Sequence, residues 1–122
     1  MSTLRFRLRF WCALGLALVS ACSPPVSSGP LRLEATRLGA STRLELYASP
    51  GARINARLKP ALELSDGKVL RFDSPHLTAD SAYFADRPST RVEGYPRQLH
   101  GTLRASVCDT DETVCRLITM RL

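Results

Sequence analysis

The residues of this sequence that could carry chemistry are its four cysteines, Cys12, Cys22, Cys108 and Cys115. Cys108 and Cys115 lie close together near the C-terminus, so in an oxidising compartment we expect them to form a disulfide. Such a bond is either a structural cross-link or a redox pair that exchanges with the thiols of another protein. The compartment and the strands that position the pair decide between these two uses.

Other side chains offer little additional chemistry. His76 and His100 are the only histidines, and a lone histidine is more typical of a surface residue than of a metal ligand, so we predict no metal site and no cofactor. Ser74, Ser81 and Ser89 lack the G-x-S-x-G setting of a nucleophilic serine. Cys108 and Cys115 therefore remain the candidate catalytic residues.

The first 21 residues are typical of an export signal. Three arginines between positions 5 and 9, with no acidic residue, precede a short apolar run that ends in small residues. The run is shorter than the roughly 20 apolar residues that span a bilayer, and Ser23-Pro24-Pro25 prevents a helix from continuing. We therefore predict that residues 1–21 are removed and are not a transmembrane anchor.

The end of this signal, Val19-Ser20-Ala21-Cys22, resembles the bacterial lipobox. The resemblance implies lipidation of Cys22, which becomes the N-terminus of the mature protein, and Ser23 resembles the sorting signal of outer-membrane lipoproteins. A multiply acylated Cys22 would meet the requirement of stable anchoring for more than one acyl chain. We expect a protein anchored to the membrane by its Cys22 lipid at the periplasmic face of the outer membrane, with a tether over residues 22–30 and a domain over residues 31–122.

The charge distribution argues against nucleic acid as a partner. Because the three arginines of the signal are the only charged residues before Cys22, cleavage lowers the net charge from +6 to +3. The remaining basic residues are spread along the chain with acidic residues between them, whereas nucleic-acid-binding proteins cluster such charge on one face.

Residues 31–122 alternate between apolar and polar side chains with the period of a half-buried strand. Ser65-Asp66-Gly67-Lys68 is typical of a hairpin turn, residues 73–88 have no clean period and read as a long loop, and no helical stripe occurs. We predict an all-β fold, an immunoglobulin-like antiparallel β-sandwich. The predicted strands are 31–36, 43–47, 54–58, 62–64, 69–72, 91–95, 102–108 and 114–122.

In the last two predicted strands the alternation places both cysteines on one face. In the first of these strands Val107 lies on the apolar face and Cys108 on the polar face. In the second, Ile118 and Met120 lie on the apolar face and Cys115 on the polar face. Both cysteines are thus predicted on the polar, solvent-facing side of one hairpin. Exchange requires an accessible sulfur, whereas a structural cross-link does not. The surrounding acids and arginines have opposing effects on a thiolate, so both uses stay open.

Several segments resemble the periplasmic N-terminal domain of the thiol:disulfide interchange protein DsbD family: Gly51–Leu64, Asp66-Gly67, Tyr83-Phe84 and Gly101–Cys115. The resemblance implies an immunoglobulin-like fold, Cys108 and Cys115 as the redox pair, Tyr83 and Phe84 as a cap over it, and a thioredoxin-like periplasmic protein as a partner. The cysteine spacing is one residue longer than is usual in the family, and Arg116-Leu117-Ile118 replaces the aromatic residue and prolines that commonly follow the second cysteine.

Two hypotheses follow. In the first, the protein is an envelope thiol–disulfide exchange protein that acts through Cys108 and Cys115, a stand-alone module without the membrane-embedded domain of the full interchange protein. In the second, it is a non-catalytic envelope lipoprotein that binds another component and uses the disulfide as a structural cross-link.

Overall fold

The computed structural model describes residues 26–94, 99–111 and 114–122. The predicted export signal, Cys12 and the lipidation site Cys22 lie outside the described residues. Within these ranges the chain forms nine strands and no helix. In chain order the strands are β1 (Val26–Ser28), β2 (Leu31–Leu38), β3 (Ser41–Ala48), β4 (Ala52–Ile54), β5 (Ala61–Leu64), β6 (Val69–Arg71), β7 (Ser89–Glu93), β8 (Gly101–Asp109) and β9 (Cys115–Arg121).

These strands form two antiparallel sheets around a shared core. One sheet has the order β1-β2-β3-β7; in the other, β8 pairs with β4, β5 and β9, and β6 pairs with β5. The core cluster takes apolar side chains from both sheets, chiefly Leu31, Leu33, Leu44, Leu46, Ile54, Leu62, Leu103, Val107 and Met120. Each buried leucine or isoleucine contributes about 1.5–3 kcal/mol to folding. The predicted all-β fold is therefore confirmed, and the two-sheet arrangement is consistent with an immunoglobulin-like sandwich.

The predicted strand over residues 54–58 is wrong beyond its first residue. β4 ends at Ile54 because the Asn55 side chain bends the backbone: its Oδ1 accepts the backbone N–H groups of Arg57 and Leu58 at 2.9 and 3.3 Å. Residues 56–60 therefore leave the sheet. β4 and β5 then lie end to end along the same edge of β8.

The predicted loop over residues 73–88 contains no named strand, but its residues 82–84 pair with the end of β4. The Ala56 N–H donates to Ala82 O at 2.8 Å, and the Phe84 N–H donates to Ile54 O at 3.1 Å. Tyr83 lies between these bonds and forms a bridge with Asn55. The stretch 82–84 thus extends the sheet beyond β4, and this placement fixes the direction of the Tyr83 side chain.

Part of the predicted tether also joins the fold, since residues 26–28 pair with β2 as the short strand β1. Residues 22–25 lie outside the described residues. In the part of the chain that the structure describes, no helix is long and apolar enough to cross a membrane.

Candidate redox site

Cys108 and Cys115 form a disulfide, as predicted. They are direct partners in the β8–β9 ladder, with their Cα atoms 3.9 Å apart. The Asp109 N–H donates to Val114 O at 3.0 Å, so the neighbouring pair is the hydrogen-bonded one. The cysteines therefore occupy a non-hydrogen-bonded position, where opposed side chains are closest.

The two cysteines lie on the same face of the sheet but differ in exposure. Val107 faces the core, so Cys108 and its partner Cys115 point to the outer face, as predicted. Cys108 is nevertheless fully buried, whereas Cys115 is exposed. The predicted solvent-facing position is therefore wrong for Cys108. The reason is that β8 has strands on both sides, while β9 has a strand partner on one side only among the described residues.

The predicted cap residues Tyr83 and Phe84 have different surroundings. Phe84 is 7% exposed and belongs to the hydrophobic core. Because successive side chains of an extended chain point to opposite faces, Tyr83 lies on the outer face together with its bridge partner Asn55. This is the face that carries the disulfide, since Asn55 pairs with Ser106, two residues before Cys108. Only Tyr83 is thus placed as a cap would require.

Arg53 contacts Tyr83 and lies opposite Cys108 in the sheet, a position that the sequence pattern did not predict. Arg53 is the direct ladder partner of Cys108, so the two side chains leave the sheet on the same face. Its guanidinium carbon lies 4.1 Å from the centroid of the Tyr83 ring, the geometry of a cation–π contact. Its Nε is buried and has no hydrogen-bond partner among the described residues. No spacing in the sequence could have revealed this position, because it follows from the pairing of β4 with β8.

A polar pair and an apolar side chain complete this face. Asn55 Nδ2 approaches Ser106 Oγ at 3.5 Å, and Ser106 is buried. Across the β8–β9 ladder from Ser106, Leu117 is 61% exposed. The exposed residue Cys115 is thus two positions from a solvent-exposed apolar side chain on the same face.

The ion pairs around the hairpin are exposed. Arg116 lies 3.7 Å from Asp109, and Arg104 lies 3.5 Å from Glu63. Exposed pairs of this kind contribute little to stability, with a median of about 0–1 kcal/mol. They do neutralise one another, however, so neither pair places an uncompensated charge beside the disulfide.

A compact turn leads into Tyr83. The Asp80 carboxylate accepts hydrogen bonds from the Thr78 hydroxyl at 2.7 Å and the Ala82 N–H at 3.1 Å. These two bonds lower the pKa of Asp80 below its ordinary value, the Thr78 hydroxyl having the larger effect. The Tyr83 N–H in turn donates to Thr78 Oγ1 at 3.2 Å. Asp80 and Thr78 thus set the backbone position from which the Tyr83 side chain leaves.

The remaining candidates have structural surroundings. His76 and His100 are exposed, and Ser74 Oγ accepts the His76 N–H at 3.2 Å within a turn. Across the described ranges, no group of three or more His, Cys, Asp or Glu side chains could hold a metal ion.

The fold and the site together define a class: an all-β domain of two antiparallel sheets whose last hairpin carries a disulfide between one buried and one exposed cysteine. Comparison of the chain with models of protein families, with curated proteins and with solved structures finds no match.

Proposed function

We propose that this protein is a lipid-anchored envelope protein that exchanges disulfides through Cys108 and Cys115. The observation that carries the proposal is the unequal exposure of the two cysteines on the outer face of the sheet, with Cys115 exposed and Cys108 buried. Thiol–disulfide exchange requires that an incoming thiolate reach one sulfur and displace the other. Because only Cys115 is open to solvent, it is the sulfur that a partner attacks.

The exchange proceeds in two steps. A partner thiolate attacks Cys115 Sγ, a bond forms between the two sulfurs, and the electron pair of the broken bond passes to Cys108 Sγ, which leaves as a thiolate. A second thiolate of the partner then attacks the partner's own sulfur in the mixed disulfide and releases Cys115 as a thiolate. The partner dithiol is oxidised to a disulfide, the Cys108–Cys115 bond is reduced, and both cysteine thiolates take up protons from water.

The class of partner follows from the resemblance to the DsbD N-terminal domain. A thioredoxin-like periplasmic protein supplies the two thiols that the second step requires. The proposed acylation of Cys22 holds the domain at the membrane, and an oxidising envelope keeps the disulfide formed in the absence of a reductant.

The alternative function is a binding lipoprotein in which the disulfide only stabilises the last hairpin. The complete burial of Cys108 favours this reading, since a buried sulfur is typical of a structural cross-link. Closing the eight-residue loop from Cys108 to Cys115 is worth about 2.5 kcal/mol in the chain-entropy model.

Native reduction by a thioredoxin-like protein tests the proposal. The oxidised mature protein is mixed with a catalytic amount of such a partner and its reductant, without denaturant, and the peptides carrying Cys108 and Cys115 are quantified by mass spectrometry after thiol blocking. We expect the partner to accelerate reduction far above the rate with the reductant alone. A bond that resists reduction while the protein is folded would favour the alternative function.

The two single-cysteine variants distinguish the sulfurs. In Cys108→Ala, Cys115 is converted to a mixed disulfide with thionitrobenzoate. A partner variant that keeps only its attacking cysteine should displace the coloured thionitrobenzoate anion and remain covalently bound, because neither protein then holds a second thiol that could release it. Cys115→Ala is the matched control, since Cys108 is buried and should not be labelled in the folded protein. Equal labelling of both variants would contradict attack at Cys115.

A further inference from the structure

We infer that Arg53 is the electrostatic partner of Cys108 and stabilises the thiolate that forms there when the disulfide opens. The inference rests on the proposed exchange function and adds to it a residue that neither the cysteine spacing nor the family resemblance designates.

The ladder places Arg53 next to the buried sulfur. Arg53 and Cys108 are direct partners between β4 and β8, and opposed side chains in such a ladder have Cβ atoms about 4.5–5.5 Å apart. Cys115 is the partner of Cys108 on its other side. Cys108 thus has Cys115 as its ladder partner on one side and Arg53 as its ladder partner on the other.

The donor capacity of Arg53 is incompletely used. Its Nε is buried without a hydrogen-bond partner among the described residues, and a buried donor left unpaired destabilises the protein. The guanidinium packs against the face of the Tyr83 ring, with its carbon 4.1 Å from the ring centroid. This cation–π contact is not a conventional hydrogen bond and leaves the Nε donor unpaired. A thiolate at Cys108 would offer this guanidinium an anionic neighbour that the disulfide does not provide.

A buried thiolate also needs such a neighbour. Burial disfavours the charged form of a thiol, whereas a nearby cation favours it. Two of the other described charged groups near this hairpin are arginines in ion pairs: Arg104 pairs with Glu63, and Arg116 pairs with Asp109. Asp111 is exposed, and the Asp80 carboxylate is bonded within its own turn. Among the described residues Arg53 is the cation whose strand position lies directly opposite Cys108.

The consequence concerns the leaving step. When a thiolate attacks Cys115, the electron pair of the S–S bond moves to Cys108, and a leaving thiol of lower pKa leaves faster. Arg53 stabilises that negative charge, and the Tyr83 ring keeps the guanidinium in place. The same interaction favours the reduced protein at equilibrium, because it is absent from the disulfide form.

The experiment is a pH profile of the equilibrium with dithiothreitol, which requires no protein partner. The mature lipoprotein in detergent is equilibrated with oxidised and reduced dithiothreitol over a pH series spanning the ordinary thiol pKa of about 8.5. The reduced fraction is read from the peptides carrying Cys108 and Cys115. Wild type and variants share the same buffers, so the ionisation of the reagent cancels in every comparison.

In Arg53→Gln, the pH at which the reduced fraction of the protein rises should be higher than in the wild type. At alkaline pH the equilibrium constant for reduction by dithiothreitol should fall by about tenfold, the effect of one pKa unit at Cys108. Arg104→Gln is the matched control. It removes the same charge from the same face of the sheet, but the guanidinium that it removes is paired with Glu63. Arg53→Lys keeps the charge and should stay close to wild type. A purely structural role for Arg53 would change stability without moving the pH of the rise.

The proposal is overturned if Arg53→Gln leaves the profile unchanged, if Arg104→Gln shifts it equally, or if Arg53→Lys behaves like Arg53→Gln. Should Arg53→Gln fail to fold, Tyr83→Leu decides: loss of the ring should shift the rise in the same direction by a smaller amount, and an unshifted profile refutes the role. Because the reductant is a small dithiol, a failure of the exchange function with protein partners leaves this measurement intact, and the two failures can be told apart.

Discussion

Tyr83 and Phe84 are consecutive residues whose side chains lie on opposite faces of the second sheet. Phe84 is buried in the core between the sheets, and Tyr83 lies on the outer face against Arg53, the ladder partner of Cys108. One short stretch of the long loop thus serves both stability and the surroundings of the disulfide.

This arrangement predicts different outcomes for two neighbouring substitutions. Tyr83→Ala should speed reduction of the Cys108–Cys115 bond by small thiols several-fold, because it opens a second route in which a small thiol attacks Cys108 and Cys115 leaves. It should change stability only modestly. Phe84→Ala should cost about 3–5 kcal/mol of unfolding free energy, the usual price of emptying a buried phenylalanine site. Reduction rates under native conditions and urea titrations of both variants provide the test. If the disulfide of Tyr83→Ala is reduced no faster than that of the wild type, Tyr83 does not shield it.

Gly101 is predicted to tolerate no side chain, for a steric reason. β8 begins at Gly101 directly opposite Leu64 of β5, and a Cβ at this position would overlap the Glu63 carbonyl. Gly101→Ala should therefore destabilise the fold by about 1–3 kcal/mol, as overpacking does. Gly29→Ala is the comparison: its φ is +54°, but nothing lies within 4 Å, so only the backbone cost of about 1 kcal/mol is expected. Equal and small losses in both variants would contradict this close approach of β5 and β8.

Acid should weaken the turn before Tyr83. Hydrogen bonds from the Thr78 hydroxyl and the Ala82 N–H lower the pKa of Asp80 in the folded protein, and a hydrogen bond from Lys59 followed by one from the Ser74 N–H lowers the pKa of Asp73. A pKa that is lower in the folded state stabilises the fold above the unfolded-state pKa, and this stabilisation is lost as the pH falls through the folded-state value.

The free energy of unfolding should accordingly decline as the pH falls below about 4. Urea titrations across this range measure the decline, and replacing both carboxyls with amides, Asp73→Asn with Asp80→Asn, should flatten it. An unchanged pH dependence in the double variant would show that other carboxyl groups are responsible.

Lipidation of Cys22 is a prediction from the sequence motif alone. Mass spectrometry of the mature N-terminus should find an acylated Cys22, and Cys22→Ala should leave the protein without its membrane anchor after cell fractionation. An unmodified N-terminus at a different residue would contradict the predicted anchor and, with it, the proposed location at the membrane.

Much of the fold could be predicted from the sequence because a strand carries its own signal. Alternation with a period of two identified most of the strands, and Asp66-Gly67 identified the turn between β5 and β6, where the Asp66 carboxylate accepts the Lys68 N–H at 2.9 Å. The same alternation placed Cys108 and Cys115 on one face, since it depends only on local backbone geometry. The end of β4 before Asn55 could not be predicted from the sequence. The Asn55 side chain bends the backbone there, but the alternation of apolar and polar residues continues through the bend.

The tertiary structure alone decided what surrounds the disulfide. Alternation assigns a residue to a face, but whether that face is covered depends on whether its strand is interior or at the edge of the sheet. For this reason Cys108 on the interior strand β8 is buried, whereas Cys115 on β9 is exposed. Arg53 and Tyr83 are far from the cysteines in the chain and reach Cys108 only through the pairing of β4 with β8 and of residues 82–84 with β4. Such long-range register is set by the packing of the whole core, so no local pattern in the sequence encodes it.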